Sequence, residues 1–277
     1  MPLKLMFITN HPDIAQEAQS AGIDRIFVDL EILGKQERQG HLDTVISSHS
    51  LDDISRIRRM LDKSELLVRI NPVHEGTEFE VTEVISRGAD IIMLPMFKTA
   101  EEVDLFVQKI NGNAKTSLLL ETPQALVRID EILEVGGIDE IHIGLNDLHL
   151  GMRLDFMFEL LSGGIIDYLC HKIKSKGIRF GFGGIARIGK GVLPADMILA
   201  EHYRLGSEMV ILSRDFHGRA ATLKELRNNL NLSKEVSQIR ALEKTFKTTD
   251  KQWFLENQIR VKEIVKSLVF QKVKYLR

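Results

Sequence analysis

Two apolar runs in this chain each end in a carboxylate. The first reads Leu118-Leu-Leu-Glu121-Thr-Pro123, and the second reads Ile141-His-Ile-Gly-Leu-Asn-Asp147-Leu148. Carboxylate oxygens at the ends of buried parallel strands suit a hard cation, which keeps water or substrate in its remaining coordination positions. The pattern predicts that Glu121 and Asp147 bind Mg²⁺, Mn²⁺ or another divalent cation. The alternative is that both carboxylates cap the helix or turn that follows them.

Other predicted strands also end in polar residues. Asp29 and Glu31 follow the second strand, and Arg69 and Asn71 close the third. A guanidinium whose stem lies among apolar residues can hold a substrate carboxylate through paired hydrogen bonds. We interpret Arg69 as such a carboxylate-binding residue. The alternative is a structural salt bridge from Arg69 to Asp29 or Glu31.

A long polar segment, residues 34–49, separates the second predicted strand from the next helix. Long polar loops beside an active site often determine specificity. We predict that residues of this segment contact the far end of a substrate, the candidates being Lys35, Arg38, Gln39, His41 and His49. The alternative is that about half of these candidates are merely solvated. The nine histidines of the chain include no His-x-His or His-Glu-x-x-His spacing, which argues against a zinc hydrolase.

These candidate residues are positioned by an alternation of strands and helices. The predicted strands are residues 3–8, 25–30, 66–70, 91–94, 117–120, 140–143, 179–182 and 208–212, and the predicted helices are 12–21, 51–61, 79–87, 100–110, 123–135, 165–176 and 194–205. Many of the helices end at a glycine, which permits a left-handed cap before the next strand. Eight strand–helix units predict a (β/α)₈ TIM barrel, with an open doubly wound sheet as the alternative.

The pattern changes near Arg219, where the strand signals stop. Apolar residues at helical spacing predict helices over residues 232–247 and 251–275. We therefore divide the chain into a catalytic barrel, residues 1–218, and a helical extension, residues 219–277. The apolar stripe of the extension must be buried against its own barrel or against a neighbouring subunit.

Composition limits the class of protein. The chain has 277 residues and a net charge of −2, which gives no electrostatic reason to expect nucleic acid as a partner. No apolar run approaches the length of a membrane span, so we expect no membrane partner. The single cysteine, Cys170, excludes intrachain disulfides and fits a cytoplasmic location.

Four segments carry a family resemblance. They are Phe27-Val-Asp-Leu-Glu31, Val68-Arg-Ile-Asn71, Leu120-Glu-Thr122 and Ile143-Gly-Leu-Asn-Asp-Leu148. In order and spacing they resemble the HpcH/HpaI aldolase and citrate lyase β-subunit family, over about residues 3–217. The resemblance implies a metal-binding (β/α)₈ barrel that cleaves or forms carbon–carbon bonds next to a 2-oxo acid or acyl thioester. It also implies homo-oligomers, trimers or hexamers, in which C-terminal helices reach across to a partner.

The resemblance also implies roles for individual residues. Glu121 and Asp147 would be the metal ligands, and Arg69 would bind the carboxylate of a pyruvate-like unit. The chain around Gly144 and Asn146 would line that pocket. One position departs from the aldolase pattern, because Ile32 follows Glu31 where the aldolases have a histidine shortly afterwards.

Another group must therefore move protons in an aldolase reaction. The candidates are Asp29, Glu31, a loop histidine such as His41 or His49, and a metal-bound water. The citrate lyase branch lacks the histidine too.

The function that these observations predict is a divalent-metal-dependent carbon–carbon lyase, a class II-type aldolase. It would act on a 2-oxo acid through a metal-stabilised enolate, with Asp29, Glu31 and Arg69 as catalytic residues. No Schiff-base lysine is needed, and Lys4 is the only lysine in a predicted strand. One alternative is an acyl-CoA lyase or thioesterase of the citrate lyase branch. Another is a catalytically silent barrel that serves as a binding or assembly subunit.

Overall fold

Eight short parallel strands close into a barrel in the computed structural model, which describes residues 2–34, 49–217 and 220–275. Each strand pairs with its neighbours in chain order, and the first pairs with the last. The strands are β1 (Lys4–Ile8), β2 (Arg25–Asp29), β3 (Glu65–Arg69), β4 (Ile91–Leu94), β5 (Lys115–Leu120), β6 (Glu140–Ile143), β7 (Arg179–Ile185) and β8 (Met209–Leu212). The predicted (β/α)₈ barrel is confirmed, and the open sheet is wrong.

Helices follow the strands and cover the outside of the barrel. They are α1 (Pro12–Ser20), α2 (Leu51–Arg58), α3 (Thr77–Ser86), α4 (Ala100–Ile110), α5 (Pro123–Val127), α6 (Ile129–Ile132), α7 (Leu145–Gly151), α8 (Glu159–Ser162), α9 (Ile165–Ser175), α10 (Ala195–Leu205), α11 (Leu223–Asn229), α12 (Leu232–Phe246) and α13 (Lys251–Tyr275). A 3₁₀ turn spans Arg214–Phe216. None of the described helices is both long and apolar enough to cross a membrane.

Alternate residues of each strand face the barrel interior, where they stack in layers. The strand register places Phe27, Met93, His142 and Ile211 in one such layer. Arg69 lies in the next layer toward the carboxyl ends of the strands, and its guanidinium carbon is 5.7 Å from the centre of the Phe27 ring. The interior is therefore a filled core, and its polar groups lie only in particular layers.

An ion network closes the amino-terminal end of the barrel. Arg25 is fully buried, and its two Nη atoms donate to the Glu140 carboxylate at 2.7 and 2.9 Å. Its Nε donates to Glu65, which also pairs with Lys115. Lys115 begins β5, so the observed strands contain a second lysine besides Lys4. It points to this closed end, away from the carboxyl-terminal mouth.

Several predicted elements differ in their bounds from the observed ones, and two of the differences reflect local irregularities of the chain. The helix expected over residues 123–135 breaks into α5 and α6, because Arg128 leaves helical geometry with φ −97° and ψ 19°. Strand β7 extends past the expected residue 182 to Ile185, with an irregular register between Gly181 and Gly184. Short helices and strand irregularities depend on tertiary contacts that apolar spacing does not encode.

The helical extension packs on its own barrel. Val261 and Val265 of α13 are each 1% exposed, and Asn257 donates from Nδ2 to the Met197 carbonyl at 3.1 Å and to Glu201 at 2.8 Å. In α12, Glu243 accepts a hydrogen bond from the backbone of Leu3 at 2.7 Å. Of the two surfaces considered for the apolar stripe, the chain's own barrel buries this part of it.

Two buried histidines flank β7. His142 faces the barrel interior, whereas His202 on α10 stacks on Phe182 with ring centres 3.9 Å apart. Burial lowers the pKa of His142 to about 4, against a smaller raising effect of its hydrogen bond to Gly183. Burial, and at low pH repulsion from a protonated His142, lower the pKa of His202 to about 3. Both rings are therefore neutral in the folded protein near pH 7.

We expect the protein to lose stability as the pH falls below about 6.5. A histidine whose pKa is lower in the folded state takes up protons preferentially when unfolded, so its contribution is complete above about pH 6.5 and declines toward its folded pKa. The loss is roughly 3 kcal/mol per histidine near pH 4. Urea unfolding at pH 7 and pH 5 measures it. His202→Asn, whose side chain can still pair with Ser207, should show a smaller decline. Equal stability of the wild type at both pH values would contradict the expectation.

Candidate functional site

Arg69 forms an ion pair with two carboxylates at the carboxyl ends of β2 and β3. Its Nε and Nη2 both donate to the Asp29 carboxylate at 2.8 Å, and its Nη1 lies 3.3 Å from Glu31 Oε2. Asp29 and Glu31 are each only 2% exposed. The structural salt bridge considered as the alternative for Arg69 is therefore present. Binding of a substrate carboxylate by Arg69 stays a prediction.

The charge around Arg69 extends to β5. Burial acts to lower the pKa of Arg69, but Asp29, Glu31 and Glu121 together raise it well above its usual value. Glu121 thus belongs to the same electrostatic cluster, although it lies two strands away from Arg69. The barrel brings these residues together because each one ends, or directly follows, a strand at the same rim.

Gly144 makes room for the Glu121 carboxylate. Glu121 follows β5 and is 4% exposed, while Gly144 directly precedes α7 on the adjacent strand–helix unit. A Cβ atom on Gly144 would lie 2.7 Å from Glu121 Oε2 and 2.8 Å from Glu121 Cβ. Glycine at this position is therefore required by the close approach of the carboxylate.

Asp147 lies in the first turn of α7, three residues after Gly144, and is partly exposed. Gly144 thus stands between Glu121 on one side and the helical turn of Asp147 on the other. Asn146 is exposed on the same turn. Among the described residues, no three His, Cys, Asp or Glu side chains form a ready metal cage. The two-carboxylate metal site therefore stays a prediction.

The donor set fits a divalent cation. Among the described residues, the carboxylates of Asp29, Glu31 and Glu121 gather around the Arg69 guanidinium, and all three are buried. Carboxylates that gather away from water stabilise a doubly charged cation that binds among them. All the donors are carboxylate oxygens, which Mg²⁺ and Mn²⁺ prefer. Because Gly144 has no side chain, the Glu121 carboxylate has room to lie at this rim.

His49 lies against the same cluster. Its Nδ1 accepts a hydrogen bond from the Asp29 backbone N–H at 2.9 Å, so the neutral ring carries its proton on Nε2. The next residue, Ser50, forms a capping box with Asp53 at the start of α2, which fixes the chain beside His49. His49 thus lies beside Asp29, and its contact with substrate stays a prediction. Lys35, Arg38, Gln39 and His41 lie outside the described residues.

Asn71 holds the rim after β2, a role that the sequence did not reveal. Its Oδ1 accepts hydrogen bonds from the backbone N–H groups of Ile32 and Leu33, both at 3.0 Å. Its Nδ2 donates to Glu80 at 2.8 Å. The polar residue at the end of the third strand was visible in the sequence, but its partner lies on α3. Asn71 therefore fixes the backbone that follows Glu31.

Comparison with known families decides the class of this barrel. The family model described as HpcH/HpaI aldolase/citrate lyase matches residues 4–157, more than half of the chain. The chain belongs to the HpcH/HpaI aldolase/citrate lyase family. Members of this family are lyases and typically depend on a divalent metal. The match includes Arg69, Glu121 and Asp147, and it ends before β7 and the helical extension. No curated protein sequence matches the chain significantly.

Solved structures of HpcH/HpaI proteins share the barrel. An HpcH/HpaI aldolase from Desulfitobacterium hafniense DCB-2 is 17% identical, with a TM-score of 0.62 over 83% of this chain and 94% of that one. An HpcH/HpaI aldolase/citrate lyase family protein from Burkholderia cenocepacia J2315 is 14% identical, with a TM-score of 0.63 over 82% and 94%. The citrate synthase SbnG is 16% identical, with a TM-score of 0.60 over 82% and 94%. At these identities the likeness is one of fold.

Proposed function

We propose that this protein is a divalent-metal-dependent carbon–carbon lyase that acts on a 2-oxo acid. The observation that carries the proposal is the buried cluster of Asp29, Glu31, Arg69 and Glu121 at the carboxyl-terminal mouth of the barrel. Active sites of TIM-barrel enzymes lie at this end. Membership of a lyase family supports the same reaction class.

The reaction breaks the bond between C3 of the 2-oxo acid, which becomes part of the enolate, and the carbon that bears the hydroxyl group of the departing fragment. The electron pair of that bond moves toward the 2-oxo group, and the hydroxyl of the departing fragment loses a proton as it becomes a carbonyl. Glu121 and Asp147 would hold the divalent ion. When bound there, the ion supplies Lewis-acid stabilisation of the negative charge that develops on the 2-oxo oxygen.

Arg69 would orient the substrate carboxylate. Asp29 occupies the Nε and Nη2 edge of the guanidinium at 2.8 Å, which fixes its plane. The remaining N–H groups on Nη1 and Nη2 are the donors that a substrate carboxylate would use, with Nη1 also near Glu31. A donor that is already locked in place needs little reorganisation as charge develops.

His49 is the group that we assign to proton transfer. Asp29 and Glu31 are both engaged by Arg69, whereas the His49 ring is held through Nδ1 with a proton on Nε2. A neutral ring with its proton on Nε2 can accept a further proton only at Nδ1, so His49 would take the proton of the substrate hydroxyl after its bond to the Asp29 N–H opens, and would then return it to the enolate carbon. This assignment supplies a proton carrier in a chain that has Ile32 after Glu31.

Exchange of the pyruvate methyl protons in D₂O tests the proposed chemistry. Formation of the enolate removes a proton from C3, so we expect the methyl signal in proton NMR to fade with the wild-type protein and Mg²⁺. EDTA should stop the exchange, and His49→Ala should slow it by about 10²-fold or more, the usual contribution of an acid–base group. Lack of exchange with Mg²⁺, Mn²⁺ and Co²⁺ alike would contradict the enolate mechanism and favour a silent barrel.

A homo-oligomer, trimer or hexamer, is also part of the proposal. The outward side of α13 carries the exposed apolar side chains Leu255, Ile259 and Phe270. They lie within about 60° of one another around a helix that turns 100° per residue, although Lys266 interrupts the stripe. A second copy of the chain would bury this stripe. The opposite side of the helix already packs on the barrel.

Light scattering should therefore show a multimer, and Ile259→Glu combined with Phe270→Glu should dissociate it. This pair is preferable to truncation of the extension, because Glu243 and Arg240 of α12 bind the backbone of Leu3 next to β1. Lys251→Glu, at the start of α13, serves as the charge control. A monomeric wild type would contradict the proposed assembly.

A further inference from the structure

Strand β7 leaves regular sheet geometry where it meets α7. Its pairing with β8 shifts between Gly181 and Gly184, and Gly183 has a left-handed backbone with φ +51°. A Cβ atom on Gly183 would lie 2.7 Å from Leu145 Cδ1 and 3.0 Å from Leu145 Cγ. The irregular segment, which we call the β7 bulge (residues 181–184), therefore packs directly against the first residue of α7.

His142 holds this bulge from inside the barrel. Its Nε2 is 2.9 Å from the Gly183 carbonyl oxygen, so Nε2 carries the proton and donates. The side chain is fully buried, and its other ring nitrogen, Nδ1, has no hydrogen-bond partner among the described residues. A buried nitrogen without a partner is unfavourable. Packing alone therefore gives no reason for a histidine in this layer.

The contacts continue from the bulge to the candidate metal ligands. Leu145, which touches Gly183, is the first residue of α7, and Asp147 lies in the same turn. Gly144, directly before Leu145, touches the Glu121 carboxylate. A shift of the bulge would therefore move the turn that carries Asp147 relative to Glu121.

We propose that His142 is a positioning residue, which fixes the β7 bulge and through it the first turn of α7, so that Asp147 and Glu121 keep the spacing that a divalent cation requires. The inference rests on the proposed metal site. His142 itself would touch neither the ion nor the substrate. Partners behind metal ligands commonly change metal affinity by 10–100-fold.

A matched pair of amides tests the proposal. In His142→Gln the side-chain nitrogen reaches about as far as Nε2, whereas in His142→Asn it is one methylene shorter. We expect His142→Asn to weaken Mn²⁺ binding by about 10–100-fold in calorimetry and His142→Gln to stay within a few-fold of the wild type. In the metal-free protein, amide exchange at residues 145–148 should be faster in His142→Asn than in His142→Gln. Ser117→Ala, another buried polar change inside the barrel, should alter neither measurement.

The outcomes separate this inference from the proposed function. A wild type that binds no Mn²⁺ would refute the metal site, while the exchange comparison would still test whether His142 fixes α7. Equal Mn²⁺ affinity and equal amide exchange in the two amide variants would overturn the positioning role. Faster exchange and weaker binding in both amide variants, with Ser117→Ala unchanged, would also overturn it, because reach to Gly183 would not matter.

Discussion

Glu121→Gln and Asp147→Asn are each expected to abolish Mn²⁺ binding measured by calorimetry with oxalate present. Two protein carboxylates would supply all the charged ligands of the ion, and an amide oxygen is a neutral and weaker ligand for a hard cation. The loss should exceed the roughly 10–100-fold effect of a residue behind the ligands. Both substitutions preserve side-chain size, so the barrel should remain folded.

The control is a carboxylate outside the cluster. Glu134 pairs with Lys176 on the outside of the barrel, and Glu134→Gln should bind Mn²⁺ like the wild type. Unchanged binding in both Glu121→Gln and Asp147→Asn would refute the two-ligand site. If Asp29→Asn alone removed binding, the ion would lie instead among the carboxylates that surround Arg69.

The barrel could be predicted because each of its strands carries the same signal. A strand buried on both faces is apolar throughout, and glycines such as Gly22, Gly88 and Gly206 adopt the left-handed backbone after their helices. These signals are local and repeat eight times, so an error at one boundary does not change the topology. The break at Arg128 was missed because it does not interrupt the apolar spacing.

The sequence predicted where the site residues lie, but not which of their side chains pair with one another. Asp29, Glu31, Arg69 and Glu121 stand at strand ends, and the barrel brings strand ends to one rim. Asp29 and Arg69 are register partners on β2 and β3. Whether the Arg69 guanidinium faces solvent or this neighbouring strand depends on side-chain geometry. The bond between His142 and Gly183 was equally hidden, because it depends on an irregular strand.

Arg69→Met is expected to destabilise the fold by about 3–5 kcal/mol, which is the usual effect of removing one partner from a buried ion pair. Methionine keeps most of the apolar contact with Phe27 but removes the guanidinium that interacts with Asp29, Glu31 and Glu121. A typical domain has only 5–15 kcal/mol of stability, so the variant should unfold at much lower urea concentration.

Arg69→Lys keeps the charge, so it should lose less stability than Arg69→Met. Its turnover should nevertheless fall strongly, because an ammonium cannot reproduce the paired hydrogen bonds of the guanidinium.

Divalent metal should restore part of the folding stability that Arg69→Met loses. This effect would link the ion pair to the proposed reaction. The variant has lost the guanidinium beside its three buried carboxylates, so these should attract a cation held by Glu121 and Asp147 more strongly than they do in the wild type. Mn²⁺ should therefore raise the urea midpoint of Arg69→Met more than that of the wild type, measured against EDTA. An Arg69→Met protein as stable as the wild type would show that the ion pair contributes little to folding. An equal response of both proteins to Mn²⁺ would place the ion away from Asp29 and Glu31, with Arg69 acting on the substrate alone.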